Sequence, residues 1–274
     1  MNRTILNAGM ILCGEQLTPM ENGSLIIEDG IIGEILPQEA REALSIEDAE
    51  EISLPHMTLM PGMIECHNHL CIDAALPEHL ELLAWSNECQ LTLLALKGLK
   101  EDLMSGVTTA RCMGDKYYID VTLKKLIEGG KVDGPRLLAA GIGMKGSHGA
   151  GHIGMPHCGA EEIRHTCREN LKKGADLLKL FITPGVPDPF STFVPSFLSL
   201  EEISVAVSEG ARLGIPTAAH CIGGQGLKDC IDGGVDVIEH MYMATEQDVE
   251  RLAASRCVVD LTSGIFLDPS REEF

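Results

Sequence analysis

From Met63 onward the chain alternates between short apolar runs of strand type and longer amphipathic stretches of helix type. The strand-type runs begin at Met63 and continue as TTARCMG, PRLLAAG, DLLKLFIT, PTAAHC, VDVIEHM and CVVDLTSG. Between them lie Pro77–Met104, Tyr117–Glu128, Glu161–Lys173, Leu200–Leu213, Gly226–Ile231 and Glu246–Ser255, all of helix type. Ser199, with Glu202 three residues on, predicts a capping box at the start of the helix from Leu200. Such alternation gives βαβ units and a parallel sheet. Seven strands fall one short of a closed (β/α)8 barrel. The expected fold is therefore α/β, a TIM-like (β/α)8 barrel lacking its eighth unit. A glycine- and histidine-rich stretch, residues 142–159, is expected to be a loop.

The front of the chain follows another pattern. Residues 4–36 alternate and turn, and Asp29-Gly30 between apolar pairs is a hairpin signal. Two or three short antiparallel strands are expected there. Residues 37–50 are acidic and loop- or helix-like, and LPHMTLMPG leads into the first strand of the alternating block. This gives a small unit over residues 1–60 and a large one over 61–274. A chain of 274 residues is long enough for one large α/β domain with a small appendage. Aromatics are only 4%, so the core must be mostly aliphatic.

Charge and cysteine usage narrow the class. The formal charge of −20 argues against nucleic acid or an anionic membrane as partner, since both would be repelled. The ten cysteines form no CxxC pair, and several (Cys66, Cys112, Cys221, Cys257) lie in apolar runs. They fit reduced, buried thiols better than disulfides. Asn7 and Glu15 interrupt the apolar start, which makes a poor signal peptide. No run is long enough to span a membrane. A cytoplasmic protein is expected, with a small-molecule substrate as partner and self-association into a homo-oligomer left open.

Polar residues at the C-terminal ends of parallel strands are where such folds place active sites. His67 and His69 end the first strand, and side chains at i and i+2 leave a strand on one face. Two imidazoles side by side make half of a transition-metal site. His220 ends PTAAHC and His240 ends VIEHM. Lys179 sits among Leu177, Leu178, Leu180 and Phe181, on a strand buried on both faces. A buried ammonium must be paired or lose its charge. One outcome is an ion pair across the barrel. The other is a neutral amine that carbon dioxide converts to a carbamate, whose two oxygens can bridge two metal ions.

The stretch PGMIECHNH resembles the PGxIDxHxH signature of the amidohydrolase superfamily, and the later order Lys, His, His also matches. GVTTARCMG, GADLLKLFITPG, PTAAHC and GVDVIEHMYM resemble the imidazolonepropionase-like and Xaa-Pro-dipeptidase-like branch. The front strands resemble part of the small β-sandwich those enzymes build from both chain ends. The resemblance implies that His67 and His69 hold one divalent metal and His220 and His240 a second. Carboxylated Lys179 would bridge the two, and a metal-bridging hydroxide would attack a carbonyl carbon. Zn²⁺ suits these ligands best. The implied activity is metal-dependent hydrolysis of a C–N bond in an amide, cyclic amide or dipeptide.

The chain also departs from the family. The aspartate that ends strand eight in the family has no counterpart; Asp260 belongs to the seventh strand and Asp268 to a loop beyond it. Glu65 stands where the signature has Asp, Cys112 where the branch often has Asp, and Pro184 where Gly is usual. The chain is therefore expected to be C-terminally truncated, to bind metal weakly and to turn over little. Two rivals stay open: ester or phosphotriester hydrolysis at the same metal centre, and a non-catalytic metal-binding homologue. His148 and His152 in SHGAGH, Tyr242 and Arg111 are candidate substrate contacts, with an internal ion pair the better expectation for Arg111. His56, His79, His157 and His165 are assigned to surface or loop.

Overall fold

The computed structural model describes residues 2–44, 48–73, 75–76, 78–149, 151–185, 188 and 190–264. Asp268 and Pro77 lie outside the described residues. The chain divides into two units, Met1–Gly62 and Met63–Phe274.

The first unit contains β1 (Arg3–Cys13), β2 (Thr18–Glu28), β3 (Ile31–Pro37), the short α1 (Gln38–Glu42) and β4 (Ala49–Leu59). They form one sheet in the order β3-β2-β1-β4. β1, β2 and β3 are antiparallel neighbours. Asp29 and Gly30 join β2 to β3 with φ of +49° and +81°, the two left-handed residues that a tight hairpin turn requires. β4 was expected as a mere lead-in; instead it pairs with β1 in parallel over most of its length. Its sequence hides it, because Pro55 and the acidic Glu50 and Glu51 are poor strand formers. β4 tolerates Pro55 because it is an edge strand with a bulge where it passes Gly9. A side chain at Gly9 would collide with the Pro55 carbonyl.

The second unit opens with β5 (Met63–Asn68), α2 (His79–Trp85), α3 (Glu88–Met104), β6 (Val107–Cys112), α4 (Ile119–Glu128) and β7 (Arg136–Leu138). β8 (Met144–Gly146), β9 (Met155–His157), α5 (Ala160–Lys173), β10 (Leu178–Phe181) and α6 (Leu200–Ala211) follow. β11 (Thr217–Gly223), α7 (Gly224–Gly233), β12 (Val237–Met243), α8 (Glu246–Ala253) and β13 (Val258–Asp260) complete it. All seven expected strands are present as β5, β6, β7, β10, β11, β12 and β13. Every strand pair in this unit is parallel.

The strands do not close into one barrel among the described residues. They form two parallel sheets, β5-β6-β7 and β13-β12-β11-β10-β8-β9. A single bridge links the end of β6 to the segment before β8, with Asp115 N–H donating to Gly141 O at 3.1 Å and Gly143 N–H to Asp115 O at 3.2 Å. β8 and β9 lie inside the stretch expected to be a loop. At three residues each they are too short to show alternation, yet Met144 fills the core beside Leu180 and Ile163. His157, assigned to surface or loop, is instead buried on β9 and bonded to Thr166 at 2.7 Å.

The long helix expected over residues 77–104 is broken in two. Asn87 accepts from Gln90 N–H while the Gln90 side chain accepts from Asn87 N–H, a reciprocal cap that starts a new helix. Asn87→Ala is expected to cost about 1 kcal/mol of stability in urea unfolding, with Asn87→Asp close to wild type. Ser199 and Glu202 form the predicted capping box at α6. The helices cover the sheets through aliphatic clusters such as Leu178, Leu180, Ile203 and Ile238 and Leu91, Leu99, Ile119 and Leu137. All ten cysteines are free thiols. Among the described residues, no helix is long and apolar enough to cross a membrane.

Candidate metal centre

β5 delivers His67 and, one residue past its end, His69, with ring centres 5.3 Å apart. Asn68 between them turns the other way and donates to Asp102 at 2.7 Å. The His67 ring is 4.7 Å from that of His240, and His240 is 4.5 Å from His220. Phe181 stands 6.2 Å from both His69 and His220. In the register of β10 and β11, Lys179 lies opposite Ala218 and Phe181 opposite His220, so Lys179 shares the face that carries His220. The structure thus brings His67, His69, His220, His240 and Lys179 into one cluster.

Lys179 is fully buried and its Nζ has no hydrogen bond. The expected ion pair across the barrel is absent among the described residues. Burial pulls its pKa down to about 8. The imidazoles, by contrast, are held neutral. Burial, with Lys179 nearby, lowers His67 to about 2 and His220 to about 4. His69 and His240 fall well below their ordinary value for the same leading reason.

Each imidazole commits one nitrogen to the protein. His67 Nδ1 lies 2.8 Å from Glu239 Oε2 and His69 Nδ1 3.2 Å from Gly114 O. His220 Nε2 donates to Pro184 O at 2.8 Å. His240 Nδ1 sits 2.8 Å from Thr262 Oγ1 and 2.9 Å from the Tyr242 hydroxyl. The other nitrogen of each, Nε2 in three of them and Nδ1 in His220, has no hydrogen bond among the described residues. Neutral imidazoles oriented by one such bond are what a divalent transition metal selects, so the donor set fits one. The fit is pairwise. Among the described residues, the three ligand atoms within 4.8 Å of one another belong to His67, Glu239 and Asp260, not to three of the histidines.

Glu239 was missed in the sequence. Along a regular strand, residues 239 and 240 point to opposite faces, and the register puts Glu239 beside His220 on the cluster face, so that His240 would point away. His240 and Met241 instead have φ of +84° and +61°, a conformation that costs of order 1–3 kcal/mol per residue. The twist brings Glu239 and His240 to the same side. Glu239 lies opposite His220 on β11 and Asp260 on β13.

The expected substrate contacts fare differently. Arg111 makes the internal ion pair, with Nη2 2.9 Å from Glu239 Oε1 and 3.3 Å from Asp260 Oδ2. Tyr242 places its hydroxyl 2.9 Å from His240 Nδ1 and 2.7 Å from Thr262 Oγ1. His148 and His152 are exposed, and His148 packs edge-on against Phe197; neither touches the histidine cluster among the described residues. Glu65 accepts from His67 N–H at 2.8 Å, and Cys112 is buried in the core.

Parallel sheets with a histidine–lysine cluster at their strand ends define an α/β protein with a candidate metal centre. The chain belongs to the amidohydrolase family, whose model matches residues 58–271. It is 27% identical over 294 residues to ochratoxinase of Aspergillus niger, covering 94% of this chain. The match spans only 60% of that enzyme's length. Among solved structures it resembles a Xaa-Pro dipeptidase with methionine bound in the active site, at a TM-score of 0.79 and 25% identity, covering 96% of this chain and 67% of that one. The crystal structure of A. niger ochratoxinase matches at a TM-score of 0.75 and 24% identity, over 97% of this chain and 67% of that one, a likeness of fold.

Proposed function

We propose that the second unit carries the metal centre of a hydrolase that cleaves a C–N bond in an amide, a cyclic amide or a dipeptide. One observation carries the reading: four neutral imidazoles, each with a nitrogen to spare, are grouped with a buried amine that has no hydrogen bond among the described residues. In this reading His67 and His69 hold one divalent ion and His220 and His240 a second. Lys179 joins them as a carbamate: its neutral amine forms a bond to the carbon of CO₂ and gives up one proton, leaving an anion with two donor oxygens. Nitrogen and carboxylate-type donors suit Zn²⁺. When bound, the ions supply a water of lowered pKa and polarise the scissile carbonyl.

The chain's own residues do the placing. Glu239, Gly114, Pro184 and the Tyr242–Thr262 pair each hold one ring nitrogen, which leaves the other nitrogen of each ring to donate. The two parallel sheets are taken as arcs of an incomplete (β/α)8 barrel, and the sheet of the first unit as part of a β-sandwich. Free cysteines fit a reducing, cytoplasmic setting. Likeness to a Xaa-Pro dipeptidase puts dipeptides first among small-molecule substrates to try.

The test is metal analysis and native mass of the chain purified with Zn²⁺ and bicarbonate, followed by a screen of amides, lactams, dipeptides and esters. Two metal ions, a mass increase of one CO₂ located on Lys179, and hydrolysis of an amide-type substrate are expected. A chain that takes up neither metal nor CO₂ would refute the reading.

A further inference from the structure

We propose that Glu239 is a positioning residue that fixes the ring proton of His67 on Nδ1 and so turns His67 Nε2 toward the metal. This rests on the reading of His67 as a metal ligand. Glu239 is fully buried, and its Oε2 lies 2.8 Å from His67 Nδ1. Both its oxygens accept from Arg111 Nη2, at 2.9 and 3.2 Å. A guanidinium has donors only, so Glu239 is an acceptor there. Its contact with His67 is then satisfied only if Nδ1 carries the hydrogen. The lone pair is left on Nε2, and donation to a carboxylate makes that lone pair more basic.

Arg111 is itself pinned. Its Nε donates to the Cys66 carbonyl at 2.6 Å and its Nη2 reaches Asp260 at 3.3 Å. Cys66 immediately precedes His67, so the guanidinium grips both the backbone that carries the imidazole and the carboxylate that orients it. The network joins β6 of one sheet to β12 and β13 of the other. It also explains the close grouping of His67, Glu239 and Asp260: the cation shared by those two carboxylates is Arg111. Glu239 reaches this position by ordinary register, opposite His220 and Asp260, and the left-handed backbone at His240 and Met241 goes with His240 joining it on the same side.

The test uses the full chain, freed of metal by chelation. In the wild type, ¹⁵N NMR of the histidine rings, with His67→Gln for assignment, is expected to place the His67 proton on Nδ1. Titration with Zn²⁺ against a competing chelator is expected to show Glu239→Gln binding about 10–100-fold more weakly than wild type. In a His67→Gln background, adding Glu239→Gln should change nothing further, because the carboxylate acts through that ring. A proton on Nε2, an unchanged affinity in Glu239→Gln, or losses that multiply in the double variant would overturn the proposal. The NMR measurement needs no Glu239 variant and decides the matter even if Glu239→Gln does not fold. Equal Zn²⁺ affinity in wild type and His67→Gln would instead sink the ligand reading of His67, while the ring proton still reports on Glu239.

Discussion

Lys179→Met is expected to make the metal-free protein more stable and to abolish its capacity to hold a pair of metals. The two effects share a cause. Lys179 Nζ is enclosed without a hydrogen bond, and a buried polar group left unpaired costs about 1–3 kcal/mol. Methionine fills a similar volume with no group to satisfy. In chelator, the urea midpoint should therefore rise. The gain should shrink at alkaline pH, and the sign follows from linkage. Burial lowers the native pKa of Lys179 from 10.5 to about 8, so the folded state holds its proton less tightly than the unfolded chain. The penalty is full below pH 8 and fades as pH rises toward 10.5. With Zn²⁺ and bicarbonate present the ranking should reverse, since only the wild type can form the carbamate and gain stability from bound metal. A variant that is less stable than wild type in chelator, or that still retains two metals, would contradict this account.

Much of this architecture is written locally. Seven of the strands described in the second unit are apolar runs with their own flanking turn chemistry, and the Asp29-Gly30 turn and the Ser199–Glu202 cap are specified within four residues. The spacing of His67 and His69 fixes their shared face, and the leucines around Lys179 announce its burial. Asn87 with Gln90 three residues later was equally readable as a helix start, and amphipathicity on both sides concealed it. What stayed hidden depends on distant partners. Glu239 and His240 share the cluster only because His240 and Met241 leave the strand conformation, and nothing in VDVIEHM signals that break. Arg111 could have faced a substrate carboxylate; what decides otherwise is a glutamate 128 residues away. Tyr242 places its hydroxyl 2.7 Å from Thr262 on the following segment. β4 is a strand because β1 offers it an edge, against the preference of Pro55. Strand-end chemistry is thus legible one residue at a time, while the groups that orient it come from the assembled sheets.

The second large effect comes from a carboxylate outside the cluster. Asp115 follows β6, is almost completely buried, and among the described residues neither of its oxygens has an N–H or O–H donor. Burial, with the Asp120 carboxylate nearby, pushes its pKa up from 3.8 to about 7, and the Cys71 thiol, a weak donor, offsets little of this. Burial raises Asp120 as well, but the backbone N–H groups of Val121, Ala140 and Gly141 that it accepts from oppose the rise. The sign is the reverse of that at Lys179. Below pH 3.8 both folded and unfolded chains are protonated at Asp115, and nothing is lost. Between pH 3.8 and 7 the unfolded chain ionises while the native one does not, and stability falls by about 1.4 kcal/mol per pH unit. Above pH 7 the loss is complete, at about 4 kcal/mol. Asp115→Asn keeps the shape and removes the titration. Its stability relative to wild type should therefore climb by roughly that amount from pH 4 to pH 7.5 in urea unfolding with chelator, whatever constant offset the buried amide introduces. A difference between the two proteins that stays flat across this range would mean that Asp115 finds a partner in solution. Because Gly114, the residue before it, accepts from His69, the same variant also reports whether relaxing this corner disturbs the metal ligands: Zn²⁺ affinity should be unchanged while stability moves.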